Sequence, residues 1–274
     1  MAKKSNAAII SPIFATGKTK LSAIDTSDTC GFKGTKDDAI AKLGELNAKL
    51  AALQNVLYAE QKHKVLVVLQ AMDTGGKDGA IRKVFSGVNP QGVRVASFKA
   101  PTPEELSHDY LWRIHEEVPA KGEIVVFNRS HYEDVLITRV HGWIDDKTAL
   151  RRFHQINEFE RTLAEEGTTI LKFFLHISKD EQKERLEARL ADPTKRWKFN
   201  VGDLDERKRW DDYQTVYQDA MRATSTKNAP WFVVPANRKW VRDITISSVL
   251  VHALESLNMK YPEPAEGLDK IVIE

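Results

Sequence analysis

Cysteine is almost absent: Cys30 stands alone among 274 residues. No disulfide framework can brace a single chain, paired-thiol metal sites are excluded, and a reducing compartment is expected. No stretch approaches the roughly 20 consecutive apolar residues that would cross a bilayer. Behind Lys3 and Lys4 only Ala7 to Ile10 is apolar, too short for the core of a signal peptide. The net charge is only +2, so the bulk attraction to nucleic acid or membrane that a strongly basic chain would have is missing. H-E-x-x-H and G-x-S-x-G are both missing, which removes the zincin and serine-elbow chemistries. The expectation is a cytoplasmic protein with neither a membrane nor a nucleic acid as partner.

Charged residues make up 29% of the chain and both signs are interspersed, so any polyanion site must be local. Hydrophobic residues, at 42%, suffice for a core. Residues 1–34 show no sustained period and read as an irregular arm. Thr35-Lys36-Asp37-Asp38 has the form of a capping box, and Leu43, Leu46, Leu50, Leu53 and Leu57 follow at helical spacing. A long helix to about residue 62 is predicted. Five apolar runs, 65–69, 93–98, 124–127, 168–175 and 231–235, have the pattern of strands buried on both faces. Helical stretches near 78–87, 103–118, 148–166, 178–191, 203–225 and 239–258 separate or follow them. Strand–helix alternation predicts α/β architecture, a five-stranded parallel sheet covered on both sides in three α/β/α layers. One domain over 35–258 is the simplest division, with a tail at 259–274. Between two helices, 190–203 contains Asp192-Pro193 and Gly202 and suits a mobile lid.

The first apolar run spills into Ala71-Met72-Asp73-Thr74-Gly75-Gly76-Lys77-Asp78-Gly79. The phosphate-loop pattern G-x-x-x-x-G-K-[ST] is present with Ala71 in place of the first glycine and Asp78 in place of the hydroxyl residue. Backbone N–H groups of Thr74, Gly75, Gly76, Lys77, Asp78 and Gly79 would cradle phosphate, with the Lys77 ammonium reaching its charge. A glycine pair after a strand can be a mere tight turn, but a turn needs neither Lys77 nor flanking carboxylates. Asp73 among phosphates is unfavourable unless a cation joins it, so Asp73 and Asp78 imply Mg²⁺. Asp78 could alternatively cap the helix that follows.

The second signal is Asn128-Arg129-Ser130-His131-Tyr132-Glu133-Asp134, a polar cluster closing the run 124–127. Chemistry in α/β folds sits outside the carboxyl ends of strands. Asn128 stands where phosphate-loop proteins usually carry a strand-end Asp, and Arg129 could stabilise charge on a transferring phosphoryl group. Glu133 or Asp134 could position an acceptor or Mg²⁺, or simply pair with Arg129. His131 reads first as a packed, hydrogen-bonded side chain.

From Arg189 to Arg209 seven bases meet four acids. Arg189, Lys195, Arg196 and Lys198 suit a cationic lid over a phosphate site, with Arg189 able to reach the transferring group on closure. Arg207 and Arg209 belong to the same candidates for the phosphate site, or to a solvated face. Trp210, Tyr213, Tyr217 and Met221 recur at helical spacing and belong to the core.

Taken together, Asp73–Gly79, Asn128–Asp134 and the stretch from Arg189 to Trp210 resemble the polyphosphate kinase 2 family over about 35–258. The resemblance implies a P-loop kinase fold with a helical lid over about 189–210, and Mg²⁺ dependence. It also implies reversible phosphoryl transfer between inorganic polyphosphate and nucleotides (AMP, ADP, ATP). Asp73, Lys77, Arg129, Glu133 and Arg189 would be its catalytic residues. The family commonly has Asp where Asn128 stands; the Asn form followed by Glu133 resembles the subgroup that accepts both mono- and diphosphates. A homo-oligomer is expected. Two other readings stay open: an ATP-dependent nucleoside monophosphate kinase of the same fold, and a phosphate-loop switch or polyphosphate-binding module without turnover.

Overall fold

The computed structural model describes residues 10–268 and 271–273; of the apolar patch at 7–10, all but Ile10 lies outside them. In chain order the elements are β1 (Ile13–Phe14), α1 (Lys36–Glu60), β2 (Lys64–Ala71), α2 (Lys77–Val84) and β3 (Val93–Ser97). Two short helices follow, α3 (Pro103–Ser107) and α4 (Trp112–His115), then β4 (Ile124–Asn128), α5 (Ile137–Val140) and α6 (Asp146–Glu165). The remainder is β5 (Thr168–His176), α7 (Lys179–Ala191), α8 (Gly202–Lys208), α9 (Trp210–Thr224), β6 (Trp231–Pro235) and α10 (Lys239–Ser256).

Local chemistry sets the element ends. At the start of α1 the Thr35 hydroxyl accepts from the Asp38 N–H (3.2 Å) while the Asp38 carboxylate accepts from the Thr35 N–H (2.7 Å), the reciprocal box that the sequence predicts. Leu50 and Leu57 on the inner face of α1 are fully buried, and α1 packs along α10. The run expected as one helix over 103–118 is two pieces, because Asp109 breaks it. Its side chain accepts from the Leu111 N–H (2.9 Å) and its carbonyl from the Trp112 N–H (3.1 Å). The stretch expected over 203–225 also divides, at Arg209, whose guanidinium is drawn to the Val140 carbonyl (2.8 Å).

The sheet has the order β1-β6-β5-β2-β4-β3. The five parallel strands are those expected, and a sixth joins them. Ile13 and Phe14, inside the arm read as irregular, pair antiparallel with Val233 and Phe232 on the edge of β6. Two residues are too few to show any period, so only the free edge of β6 explains them. The central strand β2 pairs in parallel with β4 on one side and β5 on the other, so Leu66 lies beside both Val125 and Ile170. Every residue from Val65 to Ala71 is buried, as a doubly covered strand requires. Helices α1, α2 and α10 form one layer, α6 and α9 the other. From β2 the chain runs first toward β3 and β4, then crosses to β5 and β6. The strand order therefore reverses at β2, which opens a crevice at its carboxyl end. This is the layering of a P-loop kinase. Among the described residues no helix is long and apolar enough to cross a membrane.

Candidate active site

At that crevice the phosphate loop shows a consistent polarity. Its carbonyls are all taken from the protein side. Ala71 O accepts from Lys77 Nζ and Tyr217 Oη (3.1 Å each), and Met72 O from the Gly75 N–H (2.9 Å). Asp73 O accepts from Gln182 Nε2 (3.0 Å), Thr74 O and Gly75 O from Arg185 Nη1 (3.1 Å each), and Gly76 O from Arg242 Nη1 (3.1 Å). The N–H groups of Gly76, Lys77, Asp78 and Gly79 have no protein acceptor among the described residues. A concave set of free N–H groups at a helix start, with the carbonyls turned away, binds anions. The Thr74 hydroxyl is also buried without a partner.

Glycine is required twice here. Gly76 has φ +101°, and a Cβ at Gly75 would lie 2.5 Å from Ala71 Cβ and 2.8 Å from Met72 O. Arg185, Arg242 and Gln182, which hold the loop, escaped the sequence reading. One signal was available: Arg242-Asp243 is an opposite-charge pair inside the apolar stretch 240–246, and the buried Arg242 bonds Asp243 with its Nε (2.7 Å) before reaching Gly76.

β4 delivers the second motif beside the loop. Arg129 sits at φ +64°, unusual for a residue with a Cβ, and its N–H donates to Leu69 O (3.1 Å). The bend brings Arg129 Nη2 to Asp73 Oδ1 at 3.2 Å. Asn128 Nδ2 donates to Asp78 Oδ1 (3.0 Å), and Lys198 of the lid meets Asp78 Oδ2 (3.1 Å). Burial works against the Asp78 charge, but Lys198 and Asn128 hold its carboxyl below the ordinary value. Burial pushes the Glu133 carboxyl up, resisted by Arg129 and Lys77. Burial, then Arg129, pull the Lys77 ammonium down, while Asp73, Glu133 and Asp78 support it. Asp73, Lys77, Asp78, Arg129 and Glu133 thus form one interacting group. His131 stands apart, buried and bonded to Glu160 (3.2 Å), in keeping with a packed side chain.

The residues of the expected lid divide. Arg189 Nη1 donates to Lys198 O (3.1 Å) and lies 3.6 Å from Asp203. The Asp203 carboxyl is pushed up by burial and by Asp73, and held down by Arg189 and Arg129, so this lid acid faces the site. Lys195 pairs with Asp192, and Arg196 Nε donates to Leu190 O (2.7 Å), both within the lid. Arg207 Nη1 donates to Lys179 O (2.6 Å) and Gln182 Oε1 (2.9 Å), while Arg209 holds the Val140 carbonyl. Of these lid bases Lys198 alone contacts the phosphate-loop motif, among the described residues.

No group of three or more His, Cys, Asp or Glu side chains arranged to hold a metal occurs among the described residues. Asp73 nevertheless faces the charges of Asp203 and Glu133 across an anion-binding loop. That suits a hard cation shared between one or two carboxylates and phosphate oxygens, the manner in which Mg²⁺ is usually held. Both Asp78 oxygens are occupied by Asn128 and Lys198, which leaves Asp73 the better placed.

The family described as polyphosphate kinase 2 matches residues 33–262. The chain is 58% identical over 258 residues to an AMP/ADP-polyphosphate phosphotransferase of Meiothermus ruber, covering 94% of this chain and 97% of that protein. It is 45% identical over 238 residues to an ADP-polyphosphate phosphotransferase of Rhodopseudomonas palustris, covering 82% of each. Among solved structures it matches polyphosphate kinase 2 of Arthrobacter aurescens TC1 with a TM-score of 0.90 at 47% identity, covering 96% of this chain and 97% of that one. With the loop, the Asn128–Asp134 turn and the lid all inside the matched span, this chain belongs to the polyphosphate kinase 2 family.

Proposed function

We infer that this chain is a polyphosphate-dependent nucleotide kinase, moving a phosphoryl group from inorganic polyphosphate to AMP or ADP, reversibly. The carrying observation is the loop of pinned carbonyls and free N–H groups beside Lys77 and Arg129. The acceptors follow the names of the Meiothermus and Rhodopseudomonas relatives. The ATP-donor and non-catalytic readings have no observation of their own in their favour.

The oxygen of a nucleotide phosphate is already ionised near neutral pH, so the reaction needs alignment and charge neutralisation rather than a general base. The loop N–H groups orient one phosphate, and Lys77 and Arg129 neutralise charge as it spreads over the transferring group. Arg129 is held by Asp73, and Glu133 in turn supports both cations. Asp73, together with phosphate oxygens, would hold Mg²⁺, which would supply positive charge to offset that of the phosphates. Arg189 swings in with the lid on closure. Lys195, Arg196 and Lys198 grip the polyphosphate chain, and Arg207 and Arg209 support the lid in the arrangement seen here.

The test is to incubate ADP, and separately AMP, with purified polyphosphate and Mg²⁺ and no other donor, then identify the products. ATP from ADP and ADP from AMP are expected. Turnover with ATP as donor and none with polyphosphate would overturn the reading.

A further inference from the structure

The loop carbonyls from Asp73 to Gly76 are held from behind by three side chains, and only one of these also touches the lid. Arg185 and Arg242 find their partners in the loop and among residues 181, 236, 237 and 243. Gln182 differs. It is 1% exposed, and the two ends of its amide face in opposite functional directions. Nε2 donates to Asp73 O (3.0 Å), and Oε1 accepts from Arg207 Nη1 (2.9 Å) on α8, the lid helix that also carries Asp203.

We propose that Gln182 and Arg207 form a latch that couples the position of the lid to the position of Asp73, making both of them positioning residues for phosphoryl transfer. The proposal rests on the polyphosphate-kinase reading above. A buried amide is tolerated when both ends are bonded, and Gln182 has no other partner among the described residues. When α8 moves off with Arg207, Oε1 is left bare and the amide must turn to find a new donor. The Asp73 carbonyl then loses its own donor, and with it the backbone that aims the Asp73 carboxylate at Arg129. Lid closure reverses the sequence: Arg207 docks, Gln182 is fixed, and Asp73 is set in place as the lid completes the site. Arg207 therefore acts through the loop and not on the polyphosphate chain.

The test compares Gln182→Met, Arg207→Met and the double variant by steady-state kinetics with ADP and polyphosphate, alongside thermal melting. Each single variant is expected to lower kcat at least tenfold, with the polyphosphate KM within twofold of wild type and little change in melting. The double variant is expected to be no worse than the worse single, because one latch has been broken twice. Single effects that multiply in the double, or a kcat near wild type in either single, overturn the latch. A rise in polyphosphate KM at unchanged kcat for Arg207→Met also overturns it and makes Arg207 a ligand of the chain. If Gln182→Met does not fold, Gln182→Glu keeps an acceptor for Arg207 and removes the donor to Asp73; it should show the same kcat loss, and a normal kcat overturns the proposal. A wild-type protein that makes no ATP from ADP and polyphosphate would instead sink the underlying reading, which keeps the two failures distinct.

Discussion

Charge is handled in opposite ways beneath the active site and above it. Beneath, Lys172 in the middle of β5 is fully buried, and its Nζ reaches Glu160 (2.5 Å), Tyr132 Oη (2.8 Å) and Thr224 O (2.8 Å). Glu160 also meets His131 (3.2 Å) and the Tyr132 hydroxyl (2.8 Å). Burial opposes the Glu160 charge, yet Lys172 and His131 hold its carboxyl below the ordinary value; burial pulls the Lys172 ammonium down while Glu160 supports it. Above, two lid cations pair locally in water: Lys195 with Asp192 and Lys208 with Asp205, each three residues apart. Interior pairs of this kind fix geometry, because no water can replace a missing partner. The lid pairs can be exchanged, and a cation that can change partner is what a polyanion needs. The buried cluster holds the turn at His131 and Tyr132, between the two residues that face the loop, Arg129 and Glu133. It would serve as the floor against which the lid proposed for 189–210 closes.

Breaking the floor should give the largest effect. Lys172→Met leaves Glu160 buried without its cation, a change that commonly costs about 3–5 kcal/mol. Adding Glu160→Leu should restore much of the stability, since an apolar pair of similar volume is often as good as a buried ion pair. Urea denaturation of the single and double variants checks this. A single variant within about 1 kcal/mol of wild type, the range of exposed pairs, would erase the distinction between floor and lid.

The next effect belongs to catalysis. Lys77→Ala should lower kcat by about 10²–10³ while melting stays normal, the usual loss when one preorganised charge is removed from a reacting centre. Lys77 is half-buried and its one hydrogen bond runs to Ala71 O, which Tyr217 also serves, so the fold should tolerate the change. A well-folded variant retaining more than a tenth of the rate would remove Lys77 from the transfer step.

How far the sequence could be read follows the same division. The five parallel strands were legible because burial on both faces makes their apolar runs continuous, and α1 was legible from its own capping box. Lys172 was visible too, as a lysine inside the run 168–175, and a fully buried lysine must have a partner. Its partner was not visible, nor were the donors that pin the loop. Arg185 and Thr74 are 111 residues apart, and Arg242 and Gly76 are 166 apart, so neither pairing leaves a local pattern. Strand β1 is only two residues long and exists because β6 offers an edge. The Asp73–Arg129 contact was half legible: both motifs could be seen, but only the parallel pairing of β2 with β4 brings them together.

Above the loop the effect should appear in binding rather than in turnover. Replacing Lys195, Arg196 and Lys198 together by Ala should raise the polyphosphate KM more than the nucleotide KM. The dependence of polyphosphate affinity on salt should become shallower, by about one in logarithmic slope for each phosphate that no longer meets a lid cation. Kinetics at several ionic strengths measure both. Equal effects on the two substrates, or an unchanged salt slope, would make these bases an ordinary solvated face.

The smallest effect concerns what a single lid pair does for the fold. Lys195 pairs with Asp192 while its own side chain is 63% exposed, so water already solvates the ammonium. Asp192 does not depend on it, because its other oxygen accepts from the Thr194 N–H (3.0 Å) and hydroxyl (2.7 Å). Together Lys195 and Thr194 draw the Asp192 carboxyl down to about 2, so it stays ionised at neutral pH with or without the lysine. Lys195→Ala should therefore change unfolding free energy by about 0–1 kcal/mol, the range of exposed pairs. The matching experiment is urea denaturation at low and at moderate salt, beside Lys172→Met. The expected result is a near-zero change for Lys195→Ala that salt reduces further, and a large change for Lys172→Met that salt leaves alone. A destabilisation well above the exposed-pair range of about 1 kcal/mol at Lys195 would mean that the lid's local pairs hold the fold as the interior pair does. The lid could then not give up its cations to a polyphosphate chain without loosening the protein.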